Sequence, residues 1–329
     1  MADLSTQYMG LELKNPIIVG SSELTNKADK VKKLAEAGAG AVVLKSLFEE
    51  QIMMEVDAQR VNNMYGSFND VENYVSFYTR KHDLDEYLEL IKKSGESTDV
   101  PIIASINCIS SSEWVDFARQ IQNAGADALE LNMFIMPNDP NYSGSELEKI
   151  YFDVVSNIQQ HIEIPVALKV GTYFSGLAQT VIELSKTNIS ALVLFNRFYS
   201  PDINLDKERI KVSNVFSHPD DFSNSLRWIG ILSDQVDCDL SASTGAHDGY
   251  TILKNLLVGA KATHVVSTIY KNSNSQIQKM LGQMESWMDE KGYQSINDFR
   301  GKLSQSNIKQ PMMYERAQFM KYYSNYQDI

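Results

Sequence analysis

The chain of 329 residues, with 43% hydrophobic and 22% charged side chains, has the composition of an ordinary soluble globular protein and length enough for two average domains or one large α/β domain. Its formal charge of −12 argues against nucleic acid or an anionic membrane as partner, since both need a basic face, although backbone amides can hold a phosphate without net positive charge. The two cysteines, Cys108 and Cys238, write neither a disulfide framework nor a metal cluster; no signal peptide or apolar run of ~18 residues is apparent, so a cytoplasmic location is expected.

One pattern recurs along the chain: a helix end, a Gly or Asn, then a short apolar run. It occurs at Gly38 before Ala41-Val42-Val43-Leu44, at Gly125 before Ala128-Leu129, at Asn188 before Ala191-Leu192-Val193-Leu194, and at Gly259 before Ala262–Val266. Gly or Asn supplies the left-handed residue that closes a helix, and the runs read as strands buried on both faces. Four more strands begin near a proline or polar break. The full set spans 16–20, 41–45, 101–106, 128–132, 165–170, 191–195, 239–243 and 264–267.

Helical patterns lie between most of these strands: Lys30–Ala37, Glu113–Ala124, Ser145–Gln160, Leu177–Lys186 and Thr251–Val258. Alternation of this kind predicts a parallel sheet with right-handed crossovers. Eight such units predict a single-domain (β/α)8 TIM barrel over 1–329, with a doubly wound open sheet as the alternative. The surplus residues fall in two loops, about 46–80 and 196–224, and in a helical tail at about 276–329. In a barrel both loops lie on the carboxyl face, where active sites are built.

The strand ends are polar throughout: Gly20-Ser21, Lys45-Ser46, Asn107, Asn132, Lys169, Asn196, Thr244-Gly245 and Ser267-Thr268. An amide such as Asn132 adds nothing to a buried strand unless it is bonded, so a neighbouring strand end or a ligand must meet it. Thr244-Gly245 and Ser267-Thr268 close strands seven and eight, the usual phosphate site of barrels. Lys45 and Lys169 are expected to project into the barrel mouth. There a cation can stabilise a reduced flavin, or a lysine can form a Schiff base as in aldolases.

These residues resemble class 1 dihydroorotate dehydrogenases, FMN-dependent barrel enzymes of pyrimidine synthesis. The similarity runs through Asn15-Pro16, Gly20-Ser21, Lys45-Ser46, Glu130-Leu131-Asn132, Pro137-Asn138, Lys169, Tyr173-Phe174, Asn196, Thr244-Gly245 and Thr268. It is closest in the tail, Lys291-Gly292-Tyr293 to Lys302-Leu303. The resemblance implies FMN bound by Gly20, Ser21, Lys45, Ser46, Asn107, Asn132, Lys169, Thr244, Gly245, Ser267 and Thr268. It implies a small-molecule substrate near Asn132, Asn138 and Asn196, and it suggests a homodimer, with the aromatic tail (Tyr314, Phe319, Tyr322, Tyr323, Tyr326) packed on a neighbour or on its own barrel.

The departures fall on the chemistry. The family's cysteine base precedes a Pro-Asn pair; here that position is Met136, in a loop one residue longer. A thioether has no proton to exchange. Arg197 stands where the family has a serine, and it is expected to bind a substrate carboxylate in bidentate fashion. The substrate loop survives loosely as Asn62-Asn63-Met64-Tyr65-Gly66, and Ala242 and Ser267 replace phosphate-site glycines. Tyr65, Ser67 and Asp139 are alternative bases. Three activities follow: an oxidoreductase acting on dihydroorotate or a similar cyclic compound, a flavoprotein with another substrate or electron partner, and a lyase using Lys169.

Overall fold

The computed structural model describes residues 2–48, 84–107, 114–197 and 200–315. Eight parallel strands form a closed barrel: β1 (Ile17–Val19), β2 (Ala41–Val43), β3 (Ile102–Asn107), β4 (Ala128–Asn132), β5 (Val166–Val170), β6 (Ala191–Leu194), β7 (Asp239–Ser243) and β8 (Ala262–Val265). Each pairs with the next, and β8 returns to β1 through Thr263↔Ile17, His264↔Ile18 and Val265↔Val19. That last ladder rules out the open sheet. The eighth strand begins earlier than expected, because Ala262 and Thr263 already pair with Ser241 and Ala242 of β7.

All four anticipated helix closures adopt positive φ: Gly38 at 103°, Gly125 at 93°, Asn188 at 62° and Gly259 at 114°. The helices between strands follow the pattern, as Ala28–Glu36, Trp114–Asn123, Gly144–Gln159, Leu177–Ser185 and Gly249–Leu257. Further helices span 84–97, Phe222–Leu232 and Ser275–Lys291. Local chemistry fixes several starts. Ser143 and Glu146 form a reciprocal capping box, and the Asp248 carboxylate accepts from Thr251 N at 2.8 Å.

The inward face of the strands changes character along the barrel axis. Ala41, Ala128, Ala167, Ala191 and Ala262 are small, and they leave room for Tyr8, Met9 and Leu13 of an N-terminal hairpin (Thr6–Tyr8, Leu11–Leu13). Large apolar side chains point outward to the helices. Towards the carboxyl end the interior turns polar, with Ser105, Glu130, Lys169, Ser241 and His264 all buried.

The tail similarity has a structural role at the opposite end. Asp3 bridges to Ser295, Arg300 Nη2 donates to Thr6 Oγ1 at 2.6 Å, and Trp287, Tyr293 and Phe299 stack together at 5.1–5.6 Å. Tyr314 packs on its own barrel, its hydroxyl donating to Leu303 O and its ring lying against Gly230. Phe319, Tyr322, Tyr323 and Tyr326 lie outside the described residues. So does most of the 46–80 loop, with Asn62–Gly66, Tyr65 and Ser67. The 196–224 loop carries an exposed antiparallel hairpin, Pro201–Asn204 with Arg209–Val212. Among the described residues no helix is long and apolar enough to cross a membrane.

Candidate active site at the carboxyl end of the barrel

A cavity of about 240 Å3 opens where the polar strand ends converge, lined by Ser21, Lys169, Asn196, Thr244, Gly245, His264 and Ser267 among others. Lys169 reaches it because β5 alternates, with Ala167 and Lys169 inward and Leu168 and Val170 outward. The register sets Asn132 beside Lys169, and Asn196 Nδ2 donates to Asn132 Oδ1 across β5. The two amides thus satisfy part of each other's need and present the rest to the mouth of the barrel.

Thr244 and Gly245 make a turn with φ of 79° and 78°. A Cβ on Gly245 would lie 2.1 Å from Phe222 N, so the start of the Phe222–Leu232 helix can approach only a glycine. Ser267 and Thr268 are close by but already bonded. Ser267 Oγ accepts from Ser217 N at 2.9 Å, and Thr268 Oγ1 donates to His247 O at 2.9 Å. Ser21 belongs to a hydroxyl chain: its Oγ accepts from Ser46 N at 2.8 Å, and Ser46 Oγ meets Ser105 Oγ at 2.7 Å. Gly20 packs closely behind the lining residue Val266, since a Cβ there would stand 2.9 Å from Val266 Cγ2.

Other anticipated residues are not gathered into this cavity. Lys45 Nζ lies 2.5 Å from Glu23 Oε1, lining a separate hollow with Asn26, Lys27 and Asp85. The hydrogen bond from Lys45 holds the Glu23 carboxyl below the usual range. A long flexible ammonium takes the nearest carboxylate, and that one lies one loop away. Asn107 ends β3 half-buried and outside the cavity lining. Asn138 is exposed, its N–H donating to Met136 O at 2.9 Å, and Met136 itself is 44% exposed. The loop is pinned at Ile135, whose N–H donates to Tyr151 Oη at 3.1 Å. Asp139, a candidate base, instead accepts from Asn141 N at 2.9 Å in its own exposed turn.

Arg197, expected to meet a substrate carboxylate, is engaged within the chain. Its Nη1 donates to Val215 O at 2.8 Å, and its Nη2 donates to Asn214 O at 2.8 Å and Phe216 O at 3.1 Å. Nε faces Asp221 Oδ2 at 3.7 Å. With these groups engaged, the guanidinium has no paired face left for a carboxylate fork. It holds down a strap, residues 213–218, whose far end is clasped at Ser217. There Ser217 Oγ meets His247 Nε2 at 2.9 Å and Lys271 Nζ donates to Ser217 O at 3.0 Å. Arg197, Asn196 and Thr244 also line a neighbouring cavity of about 360 Å3, so the strap and its arginine act as a partition.

Below the cavity floor lies a buried polar group that sequence reasoning passed over. Glu130 Oε1 is 3.5 Å from Lys169 Nζ, and Oε2 is 3.7 Å from His264 Nδ1. Neither ring nitrogen of His264 has a hydrogen-bond partner, nor has Glu130 Oε1. Burial pushes the Glu130 carboxyl up, with Lys169 pulling the other way. Burial, aided by Lys169, holds the His264 imidazole well below its ordinary value. The signal was period two: Glu130 shares a strand face with Ala128 and Asn132, and His264 shares one with Ala262.

The sequence model of the dihydroorotate dehydrogenase family matches residues 3–288. The chain belongs to that family. Its relatives include the catalytic subunit of dihydroorotate dehydrogenase B (NAD(+)) from Thermoplasma acidophilum, 24% identical over 318 residues, covering 92% of this chain and 99% of that one. The corresponding subunit from Methanothermobacter thermautotrophicus is 24% identical over 313 residues, 91% of this chain and 97% of that one. Dihydroorotate dehydrogenase A (fumarate) from Lactococcus lactis is 23% identical over 319 residues, 91% and 99%. As a dihydroorotate dehydrogenase-like protein, the chain is an oxidoreductase acting on CH–CH groups.

Proposed function

We propose that the chain is a flavoprotein that binds FMN at the carboxyl end of the barrel and oxidises dihydroorotate or a related small cyclic compound. One observation carries the reading: Lys169, the Thr244-Gly245 turn and Asn196, itself bonded to Asn132, line one cavity. The residues fit the cofactor. Glu130 and His264 leave buried polar atoms unpartnered beside that space, and the donors are an ammonium, amides and hydroxyls rather than metal ligands. FMN, when bound, supplies the hydride acceptor. Lys169 would present its Glu130-paired amine at the floor, the Thr244-Gly245 turn and Ser267 would hold the anionic tail, and Asn132 with Asn196 would orient the substrate. The strap walls one side of that space through Val215 and Ser217.

A second reading is favoured by the placement of the substrate-side residues. Met136 and Asn138 are exposed on a loop outside the cavity, and Arg197 is occupied by strap carbonyls. The same flavoprotein would then serve another substrate or an electron-transfer partner. Schiff-base chemistry at Lys169 is the weaker reading, because its amine is engaged by Glu130 at 3.5 Å inside the barrel. The small-molecule substrate, the cytoplasmic setting, the pyrimidine pathway and a homodimer belong to the same proposal.

Anaerobic titration of the purified protein with dihydroorotate tests it. The protein is expected to be yellow, to release FMN on denaturation and to bleach as dihydroorotate is added. A yellow protein unmoved by saturating dihydroorotate supports the second reading. A colourless protein that FMN cannot reconstitute ends both.

A further inference from the structure

Lys169 carries an ammonium that is 10% exposed, and Glu130, 1% exposed, stands 3.5 Å from it inside the barrel. We propose that Glu130 is a positioning residue: as the buried counter-charge of Lys169 it fixes the ammonium at the cavity floor and cancels the positive charge a bound flavin would otherwise meet. The proposal rests on the FMN reading above.

The argument is one of charge and satisfaction. A buried charge is costly without a partner, and among the described residues Glu130 is the carboxylate within ion-pair distance of Lys169. Burial on balance raises the proton affinity of the Glu130 carboxyl, and Lys169, 3.5 Å away, is the group that opposes it. The groups facing the carboxyl from the other packed elements do not replace Lys169. His264 of β8 approaches Oε2 at 3.7 Å, but burial and Lys169 keep its ring neutral. Tyr8 of the N-terminal hairpin has a buried hydroxyl without a partner, and its proton affinity is raised by burial, with the charges of Glu130 and Asp239 adding to it. The Tyr87 hydroxyl, from helix 84–97, donates to Ser105 O at 3.0 Å and accepts from Ser105 N at 2.7 Å, so it is not available.

The placement follows from the register. Asn132 pairs with Lys169 and Glu130 with Ala167. Lys169 therefore points down the axis from the floor, and Glu130 sits one inward position deeper, beneath the cavity it does not line. The opposing possibility is a neutral Glu130 under an uncompensated Lys169. The two differ in what a flavin experiences when it gains negative charge.

The test compares the wild-type holoprotein with Glu130→Gln and with the uncharged double variant Glu130→Gln/Lys169→Met. FMN affinity is read by fluorescence titration of the apoprotein, and the two-electron potential of the bound flavin by spectroelectrochemistry. Glu130→Gln is expected to change the affinity for oxidised FMN less than about threefold. It should favour the reduced over the oxidised form by at least tenfold, a rise of about 30 mV. The double variant, again without net charge, should return to within threefold of wild type. An unshifted potential in Glu130→Gln overturns the proposal. Where that variant does not fold, the double variant decides, and a fall of tenfold or more then means that Lys169 was never compensated. Wild-type protein that binds no FMN refutes the functional reading first, an outcome distinct from a flavoprotein indifferent to Glu130.

Discussion

Arg197→Ala separates the two roles this side chain has been given. In the structure the guanidinium is 28% exposed on its side chain and donates to the carbonyls of Asn214, Val215 and Phe216. Hydrogen bonds from a charged donor contribute about 1.5–3 kcal/mol each in full burial, but these carbonyls regain water once the side chain is gone. The expected loss is therefore about 1–3 kcal/mol for the strap as a whole, equivalent to roughly 5- to 150-fold in its opening equilibrium. The loss is local, because Ser217 remains clasped through Ser267, His247 and Lys271. Hydrogen exchange read peptide by peptide should show amides of 213–218 exchanging faster by that factor, with β6 and β7 unchanged. Unaltered exchange in the strap, together with weaker binding of an anionic substrate, would restore Arg197 to the substrate and refute the anchoring argument.

Two further outcomes follow from the geometry. Met136→Cys places a thiol at the family's base position, but that position is 44% exposed and off the cavity. The variant should therefore gain none of the 10²–10⁴-fold that a positioned base supplies, as read by the anaerobic bleaching rate with dihydroorotate. Glu148 clamps the segment after β5: burial raises its pKa, but hydrogen bonds from Ser175 at 2.7 and 2.8 Å, from Thr180 and from the Gly176 backbone outweigh it, and the net shift is downward. A depressed folded pKa means stability present above the unfolded value and lost as pH falls through the folded one. Glu148→Gln should thus lower the denaturant midpoint near pH 7, with the gap to wild type closing below the ordinary carboxylate range; a gap constant with pH contradicts the clamp.

The thiol chemistry of the family is absent from the described part of the site. Cys238 is a half-buried free cysteine just before β7, and burial with the flanking aspartates pushes its thiol up to about 12. Cys108 lies outside the described residues. Neither observation restores a base to the Met136 loop, whose direction is set by Tyr151 and by its own turn.

By itself the sequence determined the barrel. Short apolar runs after Gly38, Gly125, Asn188 and Gly259 became β2, β4, β6 and β8, because burial on both faces and a left-handed helix closure are local demands that leave local marks. The polar strand ends at Lys169, Asn132, Asn196 and Thr244-Gly245 were legible for the same reason: a polar group closing an apolar strand must meet something. Tertiary structure alone decided which partners the long charged side chains took. Lys45 found Glu23, Arg197 found three carbonyls of the strap, and Glu130 of β4 found Lys169 of β5 and His264 of β8. A flexible ionic side chain is satisfied by whatever lies within a few ångströms, and for Glu130 and His264, on β4 and β8, it is the closed barrel that brings them within reach.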